Sequence, residues 1–172
     1  EIIEKQDITQ SKLNLGYQID CDFISEQHYA FTVFNAIFGG FSQSRLFKVV
    51  REENSLCYYV SSSYDAFNGI MIVNAGIEAK DYHKTMDLIQ QELKAIQDGQ
   101  IEKRDIDVAK MMLENSLRKT SDEAGSMIAL TYNRDITHKV ESNDEYIEKL
   151  LNVSQEDIIK VAKQVRLDTI FF

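Results

Sequence analysis

Asn68-Gly69 lies between two β-prone runs, Cys57 to Phe67 and Ile70 to Val73. Asn-Gly is the strongest short-range hairpin signal, because both residues tolerate the positive φ of a tight turn. The chain must therefore accommodate at least one local antiparallel pair. A third strand is predicted over 11–19, where Leu13, Leu15, Tyr17 and Ile19 fall on one face at a period of two. Leu167 to Phe172 reads as a fourth.

The rest of the pattern is helical. Ile24 to Phe38 is rich in Phe, Val, Ile and Ala and is too long for a strand. It closes on Gly39-Gly40, where a left-handed helix end is expected. A loop and a short helix follow over 42–53, with Ser44 as its cap and Leu46, Phe47 and Val50 as its apolar face. Tyr82, Met86, Ile89, Leu93 and Ile96 form a stripe closed by Gly99, and Ile106, Ala109, Leu113 and Leu117 form another. Residues 121–136 carry a weaker helical pattern, and 143–151 a short helix. Ser154-Gln155-Glu156-Asp157 resembles a capping box with Asp in place of Glu. Ile158, Val161, Ala162 and Val165 then make a buried stripe. Strand, helix, short helix, hairpin, several helices and a last strand predict an α+β fold, a mixed or antiparallel sheet covered on one face by helices. Residues 1–172 are read as one such domain. The start at Glu1 and the apolar ending at Phe172 lead us to expect that it is excised from the C-terminal part of a longer chain.

Composition narrows the function. The chain has 19 Lys plus Arg against 28 Asp plus Glu, a net charge of −9, with both signs spread along it. No basic stripe is available to neutralise phosphates, which excludes the ordinary nucleic-acid binders. No apolar run is long enough for a membrane helix. There is no proline, so Pro-rich ligand motifs are absent. The two cysteines, Cys21 and Cys57, are too few for a disulfide framework or a zinc ribbon, and they fit a reduced, cytoplasmic setting.

The ordinary catalytic signatures do not appear. His28, His83 and His138 are far apart and belong to no H-E-x-x-H or H-x-x-E-H. No G-x-S-x-G surrounds the serines. Gly39-Gly40-Phe41-Ser42 follows a helix, whereas phosphate-binding glycine loops follow a strand. Glu52-Glu53 and Asp122-Glu123 read as solvated helix faces. One constellation differs. Arg51 falls at the end of the short helix, and Tyr58 opens the next strand seven residues later. A tight connection between them can present a guanidinium fork and a phenolic hydroxyl to one spot, where they could hold a carbonyl or a developing oxyanion. On the residues alone, a surface or ion-paired Arg51 and a packed Tyr58 remain the simpler alternative.

The segment from Phe38 to Tyr58, FGGFSQSRLFKVVREENSLCY, resembles the G-G-x-x-S-S-R-L-F-x-x-[IV]-R-E-x-x-x-L-x-Y signature of the insulinase/pitrilysin-type zinc metallopeptidases, a family that includes mitochondrial processing peptidase. Gln43 stands where many members have Ser, and Cys57 where a small residue precedes the Tyr. The resemblance extends over nearly the whole chain and matches the second, non-zinc domain of the family's two-domain unit. It implies a ferredoxin-like α+β sandwich half-unit with no metal ligand and no catalytic residue of its own. Zinc is then expected only in a partner domain or subunit that carries H-x-x-E-H, and this chain is expected to be inactive alone. The implied partners are the N-terminal domain of the same parent chain, a related zinc-bearing subunit and a peptide substrate. The resemblance also implies that Arg51 and Tyr58 are the substrate-binding residues, holding the peptide near zinc. Some bacterial members pair a zinc-bearing subunit with one that lost the zinc ligands and kept the pair, and the wording around Arg51 is similar to that second kind. The alternatives are a purely structural or interaction domain, with the Arg–Tyr pair buried in an internal ion pair, and a regulatory domain with a ligand pocket.

Overall fold

The computed structural model describes residues 11–21, 25–120, 124–138 and 141–172. Four strands form one antiparallel sheet in the order β2-β3-β1-β4: β1 Ser11–Gln18, β2 Cys57–Asp65, β3 Ile70–Ile77 and β4 Arg166–Phe171. Strand β1 alternates as its sequence predicts. Leu13, Leu15 and Tyr17 are buried, and Lys12, Asn14 and Gln18 lie on the opposite, uncovered face. Asn68-Gly69 turns β2 into β3, and Gly69 supplies the positive φ (63°). The two edges differ. β2 packs against the helical layer through Val60 and Ser62, whereas every residue of β4 is exposed.

Helix α1, Gln27–Asn35, runs between the sheet and the other helices and is buried on most sides, including His28, Phe31, Val33 and Phe34. The start expected at Ile24 lies outside the described residues. The chain continues into a π-helical turn, Ala36–Gly40. Here the expectation of a left-handed glycine fails, because neither Gly39 nor Gly40 has positive φ. Gly39 is needed for closeness instead: a Cβ there would sit 2.6 Å from Ser62 Oγ and 2.7 Å from its backbone nitrogen. The helix end thus lies directly on β2.

The short helix is a π-helix, Phe47–Glu53. The Ser44 hydroxyl accepts from the Phe47 N–H at 3.4 Å, and Leu46 and Val50 are buried. Helix α2, Tyr82–Gln97, buries Ile89, Leu93 and Ile96 and ends at Gly99, whose φ is 80°. Helix α3, Lys103–Thr120, buries Ile106 and Ala109. α4 is Ala124–Thr137, and α5 is Asn143–Asn152, capped by a Ser142–Glu145 box. α6, Gln155–Ala162, begins with the Ser154–Asp157 box. Ser154 N–H donates to Asp157 Oδ2 at 3.0 Å, and the Asp157 N–H donates back to Ser154 Oγ at 3.2 Å. The Ser154 hydroxyl also donates to Asp157 Oδ2 at 2.6 Å, and this bond, with the Ser154 N–H, holds the Asp157 carboxyl below the usual carboxylate range. Ile158, Val161 and Ala162 join the common core. Each large apolar side chain buried in this way contributes roughly 1.5–3 kcal/mol before entropy is subtracted. No helix among the described residues is long and apolar enough to cross a membrane.

Candidate functional site

Arg51 lies in the last turn of the π-helix and Tyr58 in the first residues of β2, as their spacing predicts. Two local devices join them. The helix ends with Ser55 N–H donating to the Arg51 carbonyl at 3.1 Å and Leu56 N–H donating to the Val50 carbonyl at 3.0 Å. Ser55 takes a left-handed conformation, φ 52°, to turn the chain. Leu56 is buried and anchors the turn. The second device is a bulge. Cys57 pairs with Ile77 and Tyr59 with Gly76, so Tyr58 is an extra residue on its strand. A bulge re-aims the side chain it carries, and Tyr58 is 76% exposed.

The Arg51 guanidinium is exposed and sits 4.6 Å from the centre of the Phe47 ring, one turn earlier. Among the described residues, neither the guanidinium nor the Tyr58 hydroxyl hydrogen-bonds a protein group, and Arg51 forms no ion pair. The site is therefore not the internal ion pair that a purely structural role calls for. Cys57, between them, is half-buried. Burial pushes its thiol up to about 11, and the Arg51 charge pulls it the other way. The arrangement offers a guanidinium fork and a phenolic hydroxyl donor. It can bind a carbonyl or an anion.

Sequence reasoning passed over the support behind this site. Arg45 donates from Nε to Glu92 Oε2 at 2.6 Å and from Nη1 to the Gln100 carbonyl at 2.6 Å, which ties the start of the π-helix to α2 and to the turn after it. The signal was present, since Arg45 belongs to the same signature. A cleft of about 280 Å³ lies beside it, lined by Phe41, Arg45, Lys48, Glu52, Glu102 and Asp105 among others.

The other candidates do not assemble. Ser62 is buried and its hydroxyl donates to Asn35 Oδ1 at 2.7 Å. Glu52 and Glu53 are exposed, and Asp122-Glu123 lies outside the described residues. His28 is buried in α1 between Tyr64 and Tyr146, whereas His83 and His138 are exposed. No group of three His, Cys, Asp or Glu side chains among the described residues could hold a metal ion.

Comparison with known proteins identifies the fold and the family. The model of the peptidase M16 inactive domain matches residues 1–113. The probable inactive metalloprotease YmfF of Bacillus subtilis is 34% identical over 172 residues, covering 100% of this chain and 40% of that protein. A crystal structure of a conserved protein from Enterococcus faecalis is 38% identical with a TM-score of 0.91, covering 96% of this chain and 39% of that one. The peptidase M16 inactive domain from Pseudomonas fluorescens shares the fold, with a TM-score of 0.78 at 18% identity, over 91% of this chain and 39% of that one. The chain spans about 40% of the length of the curated relative it matches over its whole extent. With an antiparallel sheet under a helical layer and a family model that matches well over half of its residues, this chain belongs to the peptidase M16 inactive-domain family.

Proposed function

We propose that the chain is the non-zinc C-terminal domain of an insulinase-type metallopeptidase, or of its zinc-less partner subunit, and that Arg51 and Tyr58 bind the peptide substrate during hydrolysis. One observation carries this reading: two strong donors stand exposed and unengaged at a junction built from a π-helix, a left-handed residue and a bulge. π-helical turns and bulges concentrate at functional sites because they position side chains that regular elements would place elsewhere. The exposure of both side chains does not match the buried internal ion pair that a structural role for the pair implies.

Zinc held by another domain would supply the activated water. Arg51 and Tyr58 would donate hydrogen bonds to the peptide carbonyl as it becomes tetrahedral. A count of two cysteines fits a reducing, cytoplasmic compartment. The partners on this reading are the N-terminal domain of the parent chain and a related zinc-bearing subunit.

The test is Arg51→Ala and Tyr58→Phe in the full assembly. Each should lower kcat by about 10²–10³, the loss usual for one donor to a developing oxyanion, while leaving assembly intact by sedimentation. Near-normal turnover in the double variant overturns the assignment.

A further inference from the structure

Helix α4 is the one apolar-striped helix whose stripe the described residues leave open. Ile128, Tyr132 and Ile136 recur every fourth residue and are 71%, 64% and 50% exposed, and Met127 beside them is 51% exposed. The stripes of α2, α5 and α6 are buried. A helix of 14 residues is marginal in water without packing on its apolar face, so an isolated open stripe is an unstable way to keep a helix. The helix is also nearly uncharged in sequence. Within 124–137 only Arg134 and Asp135 are charged and they cancel, although the chain as a whole carries −9.

These features select the occupant. A nucleic acid or a strongly charged partner finds nothing to complement. A second copy of the chain would bring its own −9 charge. It would also gain little area: a helix about 21 Å long and 10 Å wide presents roughly 200 Å², against about 800 Å² per partner in an ordinary stable complex. A tethered domain needs far less, because a linker raises its effective concentration to about the millimolar range. In the relative that matches the whole of this chain, about 60% of the length lies outside the matched part, since the match covers 40% of it.

We propose that the Ile128–Tyr132–Ile136 stripe docks on an uncharged apolar patch of the other domain of the parent chain. The inference rests on the family assignment, not on the roles of Arg51 and Tyr58, so loss of peptidase activity does not bear on it. The experiment is amide hydrogen exchange on α4, in residues 1–172 and in the parent chain. In the parent chain α4 should exchange at least about tenfold more slowly, and Ile128→Glu with Tyr132→Glu should abolish that difference while β1 amides stay as protected as before. The wild-type comparison stands by itself if the variant misfolds. Equal exchange of α4 in the two wild-type chains overturns the proposal. Protection that appears in residues 1–172 as protein concentration rises also overturns it, because it makes a second copy the occupant.

Discussion

The molecule has two polar aromatic clusters that use their hydroxyls in opposite ways. In the first, His28 is buried between tyrosines: its Nε2 lies 3.0 Å from Tyr146 Oη and its Nδ1 3.0 Å from Tyr64 Oη, and Thr32 Oγ1 lies 2.6 Å from Tyr64 Oη. One ring nitrogen donates and the other accepts in either neutral tautomer. Beside it, Tyr29 Oη donates to the Glu141 carboxylate at 2.8 Å and accepts from Lys149 Nζ at 3.2 Å. In the second cluster, the Arg51 guanidinium lies over the Phe47 ring and Tyr58 is exposed, and among the described residues neither polar group hydrogen-bonds the protein. A buried polar group must be bonded or it costs the full desolvation penalty. An exposed donor costs nothing to leave in water and remains available. The first cluster is thereby bound into the fold, and the second is left available, as the proposed peptide-binding role requires.

Four measurements can break or sharpen that contrast. Tyr64→Phe removes the hydroxyl shared by His28 and Thr32 and should cost about 1–3 kcal/mol in urea unfolding of residues 1–172. A change below ~0.5 kcal/mol would place the first cluster outside the stability account. The second measurement is stability against pH. Burial raises Tyr64 and Tyr17 well above the ordinary phenol value, more than their hydrogen bonds to Thr32 and Gln90 lower them, and it raises Cys57 to about 11. Groups with raised folded values stabilise the fold fully below their unfolded values. Stability should thus be level through neutral pH and fall as pH climbs past about 9, where thiols and then phenols ionise in the unfolded chain. A rise in stability over that range contradicts the burial of these groups.

Ser55→Gly removes the side-chain penalty of the left-handed turn between Arg51 and Tyr58, and should stabilise by about 1 kcal/mol. Destabilisation would mean that the Ser55 side chain holds the turn. Smallest of all, Arg51→Ala and Tyr58→Phe should each shift the stability of residues 1–172 by less than about 0.5 kcal/mol. A larger loss would show that they support the fold and would erase the distinction between the two clusters.

Much of this architecture is legible in the residues themselves. The period of Leu13, Leu15 and Tyr17, the Asn68-Gly69 turn, the Gly99 stop and the Ser154 box are local, and each forms where its chemistry says it should. Arg51 and Tyr58 are legible by position. Their presentation is not, because a π-helix has no propensity signature of its own and the bulge at Tyr58 exists only in register with Gly76 and Ile77. Gly39-Gly40 misled for a related reason. Glycine serves both left-handed turns and close approach, and the neighbour that decides, Ser62, lies on another strand. The His28 cluster is invisible locally because its partners are 36 and 118 residues away.

The place of β1 between β3 and β4 sets an order of events during synthesis. The hairpin β2-β3 can form from neighbouring residues, but Asn14 finds its β4 partner only at Phe171, the penultimate residue of this chain. Local pairs form early and distant pairs late. While the ribosome is still translating the helices, one edge of β1 stays unpaired, next to a core whose Leu13 and Leu15 already need cover. Between the synthesis of β1 and that of β4 the nascent chain therefore carries an exposed strand edge, the state in which it is most open to capture by a chaperone or by another copy of itself.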